Sequence, residues 1–231
     1  MRDSSKKLPS PPYNPGLRDV VERKRCSSSS TDTDIAKRGF AGWNERGYLP
    51  HRDSPGLTQF VTFRLNDSLP LEKRGEWEAL LAIEDNRERR KKLETYLDKG
   101  LGACDLKNPQ IAEAVERTFR FFQGMRYELL AWVVMPNHAH VLFKVGSTAM
   151  AQVVKGWKSV SARDANKILS RTGQFWHEDY WDTYMRGAEQ ELKARRYIEN
   201  NPVKAGLVSD PREWPWSSAR FRDELGRLCL E

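Results

Sequence analysis

The rhythm of apolar residues changes several times along the chain, and each change predicts an element. Gln59-Phe60-Val61-Thr62-Phe63-Arg64-Leu65 alternates and is rich in β-branched and aromatic side chains, the pattern of a strand, which Asn66-Asp67-Ser68 and Pro70 end. Between 71 and 99, Trp77, Leu80, Leu81, Leu93, Tyr96 and Leu97 recur among Glu, Lys and Arg as on one or two amphipathic helices, broken around Glu84-Asp85-Asn86. A helix is predicted over 109–124, with Pro109 at its start and Gly124 just past its end. Tyr127 to Val134 reads as a short apolar strand, and Met135-Pro136-Asn137 turns it into a second, His138 to Val145. A basic helix follows over 148–170. A loop with Gly173 then leads into the aromatic stretch Phe175 to Trp181, and 187–201 reads as a last helix before Pro202, Gly206 and Pro211. Strands separated by helices, with a close strand pair in the middle, give α+β as the expected class.

The first 39 residues break this rhythm. They hold Pro9, Pro11, Pro12 and Pro15, the run Ser27-Ser28-Ser29-Ser30, and mixed charges with few apolar side chains. Such a composition cannot bury enough surface to offset its ordering entropy, so 1–39 reads as a disordered, solvated basic tail and 40–231 as the folded domain.

Charge narrows the partner. Against 39 Lys and Arg stand 32 Asp and Glu, a formal net charge of +7 in 231 residues, which favours an anionic partner, with nucleic acid as first candidate. No apolar run approaches the roughly 18–20 residues of a bilayer span, and the N-terminus lacks the apolar stretch of a secretory signal. No membrane association and a cytoplasmic, nucleoid-associated location are therefore expected. Cys26, Cys104 and Cys229 are far apart and odd in number, so neither a disulfide framework nor a zinc-ligand spacing is read from them.

Two places carry chemistry. In Pro136-Asn137-His138-Ala139-His140-Val141 two histidines flank one small residue. On a strand, residues i and i+2 share a face, so both imidazoles point one way and can hold a divalent cation, while Ala139 points to the other face. His51 and His177 have no partner at ligand spacing. The second place is Arg195-Arg196-Tyr197-Ile198-Glu199-Asn200-Asn201-Pro202, where Tyr197 and Asn201 sit four apart on one helix face, approximately so because Asn201 precedes a proline. A tyrosine hydroxyl can attack a phosphodiester polarised by a metal, but by residue chemistry alone Tyr180, Tyr184 and Tyr197 are near equals. Among the basic residues, Lys155, Lys158, Arg195 and Arg196 are candidate DNA-phosphate contacts, with Trp157 between the two lysines assigned to the core.

Val133 to Leu142 and Tyr197 to Val208, with the Phe175 to Asp182 stretch, Arg186 and the closing Trp214-Pro215-Trp216-Ser217-Ser218-Ala219, resemble the single-tyrosine transposases of the His-hydrophobic-His type, specifically the REP-associated tyrosine transposases. The resemblance implies a ferredoxin-like antiparallel sheet with helices packed on one face, carrying a flexible N-terminal extension. It implies Mg²⁺ or Mn²⁺ on His138 and His140, with Asn201 as third ligand. It further implies that Tyr197 attacks single-stranded DNA beside hairpin-forming, REP-like palindromes, leaving a 5′-phosphotyrosine link and a free 3′-OH, in a monomer or homodimer. Ala139 is smaller than the bulky apolar residue usual between the histidines. The alternative is a catalytically silent hairpin-binding protein derived from a transposase.

Overall fold

The structure, a computed structural model, describes residues 30–46, 49–69, 71–83 and 85–230. In chain order the elements are α1 (Ser30–Lys37), β1 (Gly42–Arg46), β2 (Leu49–Asp53), β3 (Thr58–Arg64), α2 (Arg74–Leu81), α3 (Asn86–Leu97), α4 (Pro109–Arg120), β4 (Tyr127–Val134), β5 (His138–Val145), α5 (Met150–Ile168), β6 (Trp181–Tyr184), α6 (Ala188–Glu199) and α7 (Asn201–Lys204). Most of the expected tail, residues 1–29, lies outside the described residues. Its last part, Ser30–Lys37, is helical, and Ile35 packs against the core, so order begins before Phe40.

The sheet has the order β4-β5-β3-β6, antiparallel at every pairing. Strand β5 separates β3 from β4, and β3 separates β5 from β6, so the β3-α4-β4-β5-α5-β6 run is two split β-α-β units. This is the ferredoxin-like arrangement that the sequence resemblance implied. A separate hairpin, β1 with β2, precedes it. The sequence pattern did not announce that hairpin, because Gly42-Trp43-Asn44-Glu45-Arg46 shows no apolar alternation.

Period-two alternation assigns each strand residue to a face. Val61, Phe63, Val141 and Phe143 meet Ile111, Val115 and Phe119 of α4 and Val153, Val154 and Trp157 of α5 in the main core. Trp157 is buried as expected, its indole N–H donating to the Tyr127 hydroxyl at 2.8 Å. The opposite face carries Phe60, Val133 and Leu142, and α6 closes over it with Ala194 and Ile198. The two crossover helices thus share one face as expected, while α6 covers the other. The reason is visible in the second half of β4 and most of β5, where side chains on both faces are buried, a pattern that requires a cover on each side.

Helix starts follow their local signals. Asn108 caps α4 by accepting from the Gln110 N–H at 3.0 Å with Pro109 next, and Asp85 caps α3 through the Glu88 N–H at 2.6 Å. The C-terminal segment is fastened to β4 and α4: the Trp216 carbonyl accepts from Val134 N–H at 2.9 Å, and Arg220 pairs with buried Glu116 of α4 at 2.7 Å.

Candidate active site: a histidine pair under a tyrosine helix

The turn Met135-Pro136-Asn137 is pinned on both sides, by Met135 N–H to the His138 carbonyl at 2.8 Å and by Leu65 N–H to the Asn137 carbonyl at 2.8 Å. Strand β5 therefore starts at His138. His138 and His140 point to the α6 side and Ala139 to the main core, all three essentially without solvent exposure. In register, His140 lies beside Thr62 and His138 beside Arg64.

The imidazoles converge. Their Nε2 atoms are 3.1 Å apart, and the ring centroids 4.7 Å. Each outer nitrogen has its own partner, Asn137 Oδ1 at 2.8 Å from His138 Nδ1 and Thr62 Oγ1 at 2.8 Å from His140 Nδ1. The Asn137 amide nitrogen donates to the Leu101 carbonyl at 3.1 Å, so its oxygen is the atom that faces His138. His138 must then donate from Nδ1, leaving a lone pair on Nε2 aimed at His140. Burial, and secondarily the positive charge of Lys204, push the His138 pKa down to about 3, so the ring is neutral at ordinary pH. The Thr62 hydroxyl can donate or accept. It therefore supports His140 with its proton on Nε2, bonded to His138, or on Nδ1, with both Nε2 lone pairs free for a shared cation.

Helix α6 brings Tyr197 to this pair. Its ring centroid is 5.6 Å from that of His140 and 6.0 Å from that of Phe60, and Lys204 Nζ lies 5.4 Å from the ring centroid. The helix does not run straight into Pro202. Asn200 turns the chain (φ −86°, ψ 0°), and Asn201 begins the separate short helix α7. Asn201 is wholly buried, yet neither its amide oxygen nor its amide nitrogen has a hydrogen-bond partner among the described residues. Along the chain it lies between Tyr197, whose ring meets His140, and Lys204, whose amine is 2.8 Å from Asp98 Oδ2. Asp98 Oδ1, also buried and without a hydrogen-bond partner, is 3.9 Å from His138 Nε2.

The donor set fits a hard divalent cation in part. Two convergent neutral imidazoles and a buried amide with an unsatisfied oxygen are suitable ligands. Among the described residues no three His, Cys, Asp or Glu side chains gather as a metal cage, so an amide or a further oxygen has to complete the set.

The other sequence candidates are placed elsewhere. Tyr180 packs beside the main core, and Tyr184 pairs in register with Gln59, on the sheet face away from the histidines. Lys155 and Lys158 ride on α5, in the opposite layer from the pair. Lys158 Nζ donates to the His177 and Glu178 carbonyls at 2.7 and 2.6 Å. Arg196 is exposed, whereas Arg195 is half-buried near the Gly226 carbonyl at 3.4 Å. His177 accepts from the Asp179 N–H at 3.2 Å and serves its own loop; the side chain of His51 lies outside the described residues. Sequence reasoning missed Asp98, Lys204, Thr62 and the hydrogen-bonding role of Asn137. Only Thr62 had a local signal, its even-numbered place on an alternating strand.

Residues 106–201 match the family described as Transposase IS200 like. A REP-associated tyrosine transposase of Escherichia coli (strain K12) is 25% identical over 101 residues, which are 44% of this chain and 58% of that protein. A putative REP-associated tyrosine transposase of Haemophilus influenzae is likewise 25% identical, over 40% of this chain and 58% of its own length. The chain thus spans less than two thirds of the relatives it matches. A solved structure of a REP-associated tyrosine transposase bound to a REP hairpin aligns with 81% of this chain and 90% of its own, at 18% identity and a TM-score of 0.48. No helix among the described residues is long and apolar enough to cross a membrane. His138, His140, Tyr197 and Asn201 all fall within the matched residues, so the segment that holds them is similar to the IS200-like transposase family and to the REP-associated tyrosine transposases.

Proposed function

We propose that the protein is a divalent-cation-dependent enzyme that nicks single-stranded DNA beside hairpins and transfers the strand through a 5′-phosphotyrosine link on Tyr197. The observation that carries this reading is the Tyr197 ring set against His140, whose Nε2 converges with that of His138 at 3.1 Å. His138 and His140 would hold Mg²⁺ or Mn²⁺, with Asn201 contributing its amide oxygen. When bound, the ion would polarise the scissile phosphate and offset the charge that builds on it during attack.

The chain's own groups define the rest. The Tyr197 hydroxyl oxygen forms the new bond to phosphorus as the bond from phosphorus to the 3′-oxygen breaks. The phenol gives up its proton, and the leaving 3′-oxygen ends as a hydroxyl. Attack by a 3′-hydroxyl on the phosphotyrosine reverses the steps and rejoins DNA without a nucleotide cofactor, because the ester bond is conserved. The names of the matched relatives point to REP-like elements as the DNA class. Arg196, exposed on the tyrosine helix, is the best placed of the four basic candidates to meet the strand, and either a monomer or a homodimer is compatible with the site.

The test is covalent capture. Wild-type protein incubated with a hairpin-bearing oligonucleotide and Mn²⁺ or Mg²⁺ should give an SDS-resistant protein–DNA adduct. Tyr197→Phe and EDTA should each abolish it. An undiminished adduct in Tyr197→Phe would refute the assignment of the nucleophile, and hairpin binding with no adduct under any condition would leave a silent binding protein.

A further inference from the structure

The cation reading leaves one buried carboxylate without a task. Asp98 follows the last residue of α3, upstream of the residues 106–201 that match the transposase family. Its side chain is only 11% exposed. A carboxylate at a helix C-terminus faces the negative end of the helix dipole, so neither burial nor local helix electrostatics explains an aspartate there. Lys204 satisfies Oδ2 at 2.8 Å, while Oδ1 is buried without a hydrogen-bond partner among the described residues and faces His138 Nε2 at 3.9 Å.

Distances connect these atoms. Two donors bound to one small divalent ion at about 2.1 Å each lie no more than about 4.2 Å apart. The separation of the two Nε2 atoms, 3.1 Å, and that of Oδ1 from His138 Nε2, 3.9 Å, both fall inside that limit. We propose that Asp98 Oδ1 is an oxygen ligand of the cation held by His138 and His140, with Lys204 fixing the carboxylate through Oδ2. As it stands the trio is open and not a closed three-ligand cage, so on this proposal ion binding draws Oδ1 in toward His140. The arrangement adds a hard, charged oxygen to two imidazoles, a set suited to Mg²⁺ or Mn²⁺. The inference rests on the proposed cation site but concerns a residue outside the family segment.

Binding of Mn²⁺ alone tests it, read as the loss of the free-ion electron paramagnetic resonance signal and as the rise in melting temperature on adding Mn²⁺. Wild type should bind, and His138→Ala should not. Asp98→Asn should weaken Mn²⁺ binding by about tenfold or more, as loss of an oxygen ligand or its support does, and Asp98→Glu should recover part of it. Lys204→Met, which keeps the ligand but frees its second oxygen, should cost less than Asp98→Asn. If Asp98 only anchors Lys204, Asp98→Asn and Lys204→Met will melt alike in EDTA and both bind Mn²⁺ like wild type, which overturns the inference and leaves the histidine site standing. Failure of wild type itself to bind Mn²⁺ would remove the cation site and this ligand together. If Asp98→Asn does not fold, as judged in EDTA, Asp98→Ser is read against the same outcomes.

Discussion

The two faces of the central sheet share the same strands and differ in how completely they are satisfied. On the crossover-helix face, Phe63, Phe119, Tyr127, Phe143 and Trp157 interlock edge to face with centroids 5.0–6.0 Å apart. The buried indole N–H groups there have partners. The Trp157 indole meets the Tyr127 hydroxyl, that of Trp132 meets Glu116 at 2.8 Å, and that of Trp176 meets Ser161 at 2.9 Å. The other face buries Arg64, His138, His140 and Asn201, and under α6 and α7 it leaves both amide atoms of Asn201 and one oxygen of Asp98 without partners. Unsatisfied buried polar atoms cost about 1–3 kcal/mol each, so their concentration on one face marks where a ligand is expected. One face stabilises the fold; the other gives up stability to keep donors available.

This contrast can be broken at three points. The largest effect should come from Trp157→Ala, which empties the aromatic cluster and removes the partner of Tyr127. It should lower unfolding stability by about 3–5 kcal/mol in denaturant melts, while DNA adduct formation at low temperature persists, because Trp157 lies in the layer away from Tyr197. If the adduct were lost at temperatures where the variant is folded, the division of labour between the faces would be wrong. A smaller effect of opposite sign should follow from Asn201→Leu, similar in shape but apolar. It should leave the cation-free protein as stable as wild type or more stable by about 1–2 kcal/mol, since an uncompensated polar burial is removed. The increase in melting temperature caused by Mn²⁺ should shrink at the same time. A marked loss of stability without metal would mean that the amide has a partner inside the fold.

The smallest effect concerns acid. Burial first, then Arg64, holds the His177 pKa down to about 4 from its usual 6.5. The folded state therefore binds fewer protons there than the unfolded chain between pH 6.5 and 4, and stability falls as pH is lowered through that window. His177→Gln should flatten the decline in melting temperature over pH 6.5 to 4 and leave neutral-pH stability nearly unchanged. An identical pH profile would show that the loop opens before the ring protonates. Because His177 serves its own loop, the adduct at pH 7 should not change.

Much of this was legible along the chain, and the residues show why. The limits of β4 and β5 coincide with the predicted ones because apolar runs on either side of Met135-Pro136-Asn137 are local signals. The pairing of His138 with His140 follows from the period of a strand, and the start of α4 from Pro109. The hairpin β1–β2 was not legible, since its residues lack alternation and its order depends on what surrounds it. The choice among Tyr180, Tyr184 and Tyr197 was equally closed to residue chemistry. It turns on which ring the fold places against His140, and only Tyr197 rides on the helix that covers that face.

By itself, then, the sequence determined the strand pair, the shared face of the two imidazoles and the family likeness, because backbone periodicity and turn chemistry act over a few residues. The tertiary structure alone decided that α6 covers the histidine face, that Asn201 is buried without partners, and that Asp98 and Lys204 meet beside His138 across 106 positions of chain. Those relations arise from burying both faces of one sheet, a long-range requirement that no local pattern encodes.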